Sequence, residues 1–178
     1  NNTAIGINAL TTSTTGAQNT AVGRNVLDAL TTATGNTAIG ESAASAITTG
    51  SNNVAFGANA LDAATTSSNN TAVGQGSMSG TTTGADNTAM GLSSLYTNTT
   101  GAKNTALGRS AMFANTTGTQ QVAVGSLALD ANTTGSFNTA LGYETLGGNT
   151  TGTDNTAVGT SALKSNTTGQ YNTAVGVA

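Results

Sequence analysis

The chain has no cysteine, proline, histidine or tryptophan. Without Cys there is no disulfide staple, and its absence says little about compartment. Without His or Cys there is no catalytic triad, no thiol chemistry and no His or Cys metal ligand. Charged residues are 6% of the sequence, against about 25% in ordinary domains. Lys and Arg together number four, too few for the basic surface that nucleic acid demands. The net charge of -3 rules out charge-driven disorder. A plain low-complexity tract stays open on composition alone, and periodicity has to decide it. No run of about 18 apolar residues exists, so no membrane insertion is expected in this segment. The seven carboxylates are scattered, not paired as a general acid and base would be. Asp is missing from most repeats, unlike calcium-binding solenoids, and no phosphate loop with Lys appears. The expectation is a protein with no enzyme activity, no catalytic residue, no cofactor and no metal.

What is present is a phrase. Asn-Thr-Ala, an apolar residue and Gly recur eleven times along the chain, with Val for Thr at Val54 and Val122 and Gln for Asn at Gln121. The closing Gly falls at Gly6, Gly23, Gly40, Gly57 and so on to Gly176, a period of seventeen with no insertion or deletion. Ten full units run from 2 to 171 and a partial one from 172 to 178. A typical unit reads NTAVG-xx-AL-xx-NTTG-xx, as in Asn155 to Tyr171. The chain begins at Asn1, without Met or a signal peptide, and ends within a unit, which reads as one array of residues 1–178 belonging to a longer fibre. Two helices do not fit in so short a unit, and Gly, Asn and Thr are poor helix formers. The expected fold is therefore all-β: a parallel β-solenoid with one coil per repeat. Coils stacked at about 4.8 Å make a rod of roughly 48 Å. An inserted residue would throw one coil out of register, which accounts for the constant length.

The repeat positions suggest roles. Asn opens ten of the eleven phrases, with Gln121 the exception. Asn19, Asn36, Asn104 and Asn155 are candidates for an amide ladder along the rod, with Gln keeping that chemistry. Gly closes every phrase; Gly23, Gly40, Gly108 and Gly159 exemplify a position that needs positive φ or a close backbone approach. The Gly of NTTG is replaced by Ala33 and Ser67, which suggests a looser corner. The third phrase residue is always Ala and the fourth always apolar, so the two strand faces differ. The aliphatic face is expected to fill the coil interior. The Ala face (Ala21, Ala89, Ala106, Ala157) has two readings: a contact with another chain, which is preferred, or steric narrowness within one coil. With the second apolar pair, usually Ala-Leu, about two sizeable apolar side chains per coil are expected inside. Asp86 and Lys103 share a position in adjacent coils and should pair; Tyr96 and Phe113 do likewise and should stack.

Two further patterns point outward. Asn98, Asn115, Asn132, Asn149 and Asn166 each open Asn-Thr-Thr, the acceptor pattern for N-linked sugar, as do Asn1 and Asn69. Thr recurs as the second phrase residue, from Thr3 to Thr173, interrupted by Val54 and Val122. Such a file on a flat sheet could order water as an ice-binding solenoid does, although its parity with the aliphatics would leave it half inside.

The phrases NTAVG and NTALG with their TTG corners resemble the head repeats of YadA-type trimeric autotransporter adhesins. They also look like the NTAVG/NTTG arrays of phage tail fibres and bacterial surface fibre proteins. The resemblance spans the chain and implies a left-handed parallel β-roll, commonly three chains side by side, on a cell surface or virion. The adhesin head repeat is shorter, so these coils carry a longer corner. The implied role is a structural segment of an extracellular fibre that self-associates as a homotrimer or filament and attaches to a cell-surface glycan or matrix.

Overall fold

The computed structural model describes residues 1–177. Eleven short strands, β1 (Thr3–Ile5), β2 (Thr20–Val22) and so on to β11 (Thr173–Val175), form one parallel sheet in chain order. Each strand pairs with its counterpart in the next repeat: Thr3 with Thr20, Ala4 with Ala21, Ile5 with Val22. The chain is a β-solenoid with one coil per repeat, as its period dictates.

Only a small part of each coil is strand, yet the turns are not free loops. In the second coil, the backbone N–H groups of Thr20, Leu27, Ala29 and Thr31 donate to carbonyls of the third coil. Those of Gly23, Asn25 and Gly35 donate back to the first coil. The N···O distances run from 2.8 to 3.3 Å. Every side of the coil is thus tied to its neighbours, which satisfies main-chain groups that would otherwise be stranded in turns.

These turns demand unusual backbone. Counting from the Asn of each phrase, positions 7, 9 and 17 have φ near +50 to +60° in nearly every coil, including Leu27 (48°), Leu61 (55°), Leu95 (51°) and Leu129 (52°). The left-handed conformation costs a non-glycine residue about 1–2 kcal/mol. Burial of the same Leu side chain returns about 1.5–3 kcal/mol. Asn8, Asn25, Asn59 and Asn69 fill other such positions, where Asn is tolerated best.

The face assignment differs from the expectation. Ala21, Ala89, Ala106 and Ala157 are fully buried inside the single chain, so they cannot contact another one. The aliphatic that follows each Ala points outward: Phe56 is 53% exposed, Met90 49% and Leu141 46%. Steric narrowness is the reason. The space behind the strand is occupied by the phrase Asn and by the Leu or Met of position 9 (Leu61, Met78, Leu95, Met112), all buried. Only a methyl group fits between them. Coils four to nine therefore each bury one large apolar side chain from the Ala-Leu pair or its equivalent, not two. Coil two buries Val26, Leu27 and Leu30, and coil three, with Ala44 at position 9, buries Ile47.

Gly at the end of the phrase has no substitute. At Gly108, φ is +134° and a Cβ would lie 2.6 Å from the Gly125 carbonyl of the next coil. The TTG corner is also tight, since Ala33 and Ser67 are each 1% exposed. The looser corner expected there is not found, and the Ser67 hydroxyl is buried without a partner. Backbone strain and overpacking act together at Gly108, so Gly108→Ala is expected to destabilise by about 3 kcal/mol or more. Thermal unfolding followed by circular dichroism would measure it.

Candidate functional site

Inside the rod run two amide columns. In the first, the Oδ1 of Asn19 accepts from both the backbone N–H and the Nδ2 of Asn36, at 2.9 and 3.2 Å. The Asn36 Nδ2 also donates to the Gly50 carbonyl at 3.0 Å. The pattern continues through Asn53, Asn70 and Asn87, and returns at Asn155 after one interruption. Asn104 takes the backbone bond from its N–H to Asn87 Oδ1 at 2.9 Å.

The second column is one that the sequence pattern does not announce as a ladder. Asn98, Asn115, Asn132 and Asn149 are fully buried, and Asn166 partly so. Each Nδ2 from Asn115 to Asn149 donates to the Oδ1 one coil back at 2.9–3.0 Å. Each also donates to the carbonyl of the corner Gly that follows it, at 3.0–3.1 Å. The Nδ2 atoms of Asn98, Asn115, Asn132 and Asn149 are thus consumed in the core, so the glycosylation reading fails at those four positions, while Asn1 and Asn69 are exposed. The Asn-Thr-Thr pattern is a local signal, and burial overrides it. The two columns converge on shared acceptors, since Gly118 O receives both Asn104 and Asn115.

Gln121 only partly preserves the first column. Its backbone N–H reaches Asn104 Oδ1 at 3.1 Å, but its longer side chain turns across to Asn115 Oδ1 at 3.0 Å. Asn138 then reaches Gln121 Oε1 at 3.3 Å. The extra methylene cross-links the two columns at the cost of two ladder bonds, from the Gln121 amide to Asn104 Oδ1 and from the Asn138 N–H to the Gln121 side chain.

The outward sheet face is the largest unusual surface. Its aliphatic row has eleven members, one per coil, from Ile5 to Val175. Beside it runs the Thr file, which also points out; Thr37, Thr88 and Thr156 are exposed. The half-inside placement expected for Thr does not hold, because the shared parity puts both rows outside. Together the rows form a strip roughly 48 Å long and about 10 Å wide.

A third feature lies on another side, at position 10. Tyr96 and Phe113 stack there with ring centroids 5.2 Å apart and planes 5° from parallel. Where this column has a small residue it leaves a cleft: one of about 410 Å³ at Ser79 and one of about 300 Å³ at Gly147. In the second, Lys164 Nζ meets Glu144 Oε2 at 2.5 Å. That bond holds the Glu144 carboxyl below its ordinary range and the Lys164 ammonium above its own. Desolvation pushes the nearby Asp130 up. The charges in this cleft answer one another.

The predicted Asp86–Lys103 pair does not form. Asp86 accepts from the Asn69 amide at 3.1 Å, and among the described residues the ion pairs are Arg24–Glu41 and Lys164–Glu144. Among those residues, no group of three His, Cys, Asp or Glu could hold a metal ion. No family model, curated protein or solved structure matches the chain.

The second column gives a clear test. Asn132→Leu leaves one Asn149 Nδ2 proton and the Gly135 carbonyl without their partners in the core and should cost about 2–3 kcal/mol. Asn166→Leu, at the half-buried end of the column, should cost under about 1 kcal/mol. Denaturant unfolding of both variants would check the contrast.

Proposed function

We propose that this chain is a non-enzymatic structural segment of an extracellular fibre or filament, of the adhesin, tail-fibre or surface-fibril kind, with a surface or glycan attachment role. The outward aliphatic row carries this reading. The row puts eleven apolar side chains on the outer face, five exposed and six half-buried, and apolar patches of a few hundred Å² are often functional. The strip covers on the order of 500 Å². Joining two strips buries about 1,000 Å², the lower bound for a specific interface. A second rod with the same coil spacing matches the row rung for rung, so the partner is another copy, in a trimer or a filament. The resemblance to adhesin and tail-fibre arrays supplies the location, a cell surface or virion.

Sedimentation velocity tests this. The wild-type chain should sediment as an oligomer. The triple variant Phe56→Lys, Met90→Lys, Leu141→Lys should be a folded monomer, because these side chains point away from the coil. Ala106→Phe should instead unfold its own coil. A monomeric wild-type chain would reject self-association.

A second reading is favoured by one observation: the Thr file lies on the outer face of a parallel sheet at about 4.8 Å spacing. That supports ice binding as an alternative. It predicts thermal hysteresis and faceted ice crystals, and their absence at millimolar chain would dispose of it.

A further inference from the structure

We infer that the cleft at Ser79 is a binding subsite for one saccharide ring. This deepens the attachment part of the preceding reading and does not depend on rod association, since position 10 lies off the outer sheet face.

The cleft is a missing rung. Along position 10, coils four to seven carry Asp62, Ser79, Tyr96 and Phe113. Asp62 and Tyr96 stand two coils apart, about 9.6 Å, which admits one ring lying about 4 Å from Tyr96. Phe113 covers one face of Tyr96 and fixes its plane. The opposite face looks toward coils four and five and walls the cleft. Coil five has Gly76 where the other coils carry a side chain, and a Cβ there would lie 3.3 Å from the Tyr96 ring. Gly76 thus seats the Tyr96 ring against the backbone of coil five, and the opening in that coil is at Ser79.

The polar lining selects the ligand class. Asp62 Oδ1 is buried with no hydrogen-bond partner. Rotation about χ2, which is broad for a carboxylate, brings that oxygen to a donor in the cleft. Asn59, Gln75, Ser79 and Ser93 add amides and hydroxyls that both donate and accept. A bare cation would use the carboxylate, the ring face and the amide oxygens but leave the amide N–H donors without acceptors. A polyhydroxylated ring satisfies every group: its C–H face lies on Tyr96, one hydroxyl donates to Asp62, and others exchange bonds with the amides. The volume of about 410 Å³ is within the usual range for small-ligand sites.

Saturation-transfer NMR on the intact chain tests the site. The probes are methyl glycosides of glucose, galactose, mannose, fucose, N-acetylglucosamine and N-acetylgalactosamine, with tetramethylammonium as the cationic comparator. At least one glycoside should receive saturation on its ring C–H protons. Tyr96→Ala should weaken that binding several-fold to about tenfold. Ser79→Phe, which restores the missing rung, should abolish it while leaving the unfolding temperature unchanged or higher. Transfer to no glycoside, transfer that survives Ser79→Phe, or transfer to tetramethylammonium alone would overturn the assignment. Because the readout is a single chain's subsite, its failure is distinct from a failure to oligomerise.

Discussion

The constraint on which the fold depends is that each buried amide divides its bonds between an amide one coil away and a carbonyl of its own coil. Asn19 Oδ1 serves the main chain and side chain of Asn36, and Asn115 Oδ1 serves Asn132. A coil one residue shorter or longer would leave such groups unpaired in the core, where each costs about 1–3 kcal/mol. One large apolar side chain per coil cannot order a whole repeat by itself. Stacking supplies the rest, which is why the unit of stability is the array. The aliphatic pattern selects parallel coils, and the amides fix their length.

The narrowness of the coil has consequences at both faces. Inside, Ala is the only residue that fits beneath the strand, and Gly108 and its equivalents let the coils approach to backbone contact. Outside, the aliphatics displaced from the interior become a continuous apolar row. The proposed self-association rests on the same dimension that limits the core. Elsewhere on the coil, one small residue in a file of larger ones is enough to open a cleft, as Ser79 does between Asp62 and Tyr96.

The constant period, the parallel sheet, the ladder at Asn19 and its equivalents, and the Tyr96–Phe113 stack were legible in the sequence. Which strand face turns inward was not. Alternation fixes that Ala and the aliphatic are on opposite sides, and only the cross-section decides which side is in. The left-handed turns were half visible: Asn at positions 7 and 17 hinted at them, but Leu27 or Leu95 gives no local sign of positive φ. The column from Asn98 to Asn166 was hidden for a different reason. Earlier coils place Leu30 and Ile47 at that position, so the switch from apolar to amide core looked like a change of surface motif. Asp86 and Lys103 share a column, but the Asn69 amide reaches Asp86.

Amide hydrogen exchange along the rod bears most directly on the claim that stacking orders every side of the coil. The account predicts protection in each interior coil at the phrase Thr and Gly and also in the turns, as at Leu27, Ala29, Thr31 and Gly35, whose N–H groups bond to adjacent coils. Protection confined to the strand residues, with fast exchange through the turns, would contradict it.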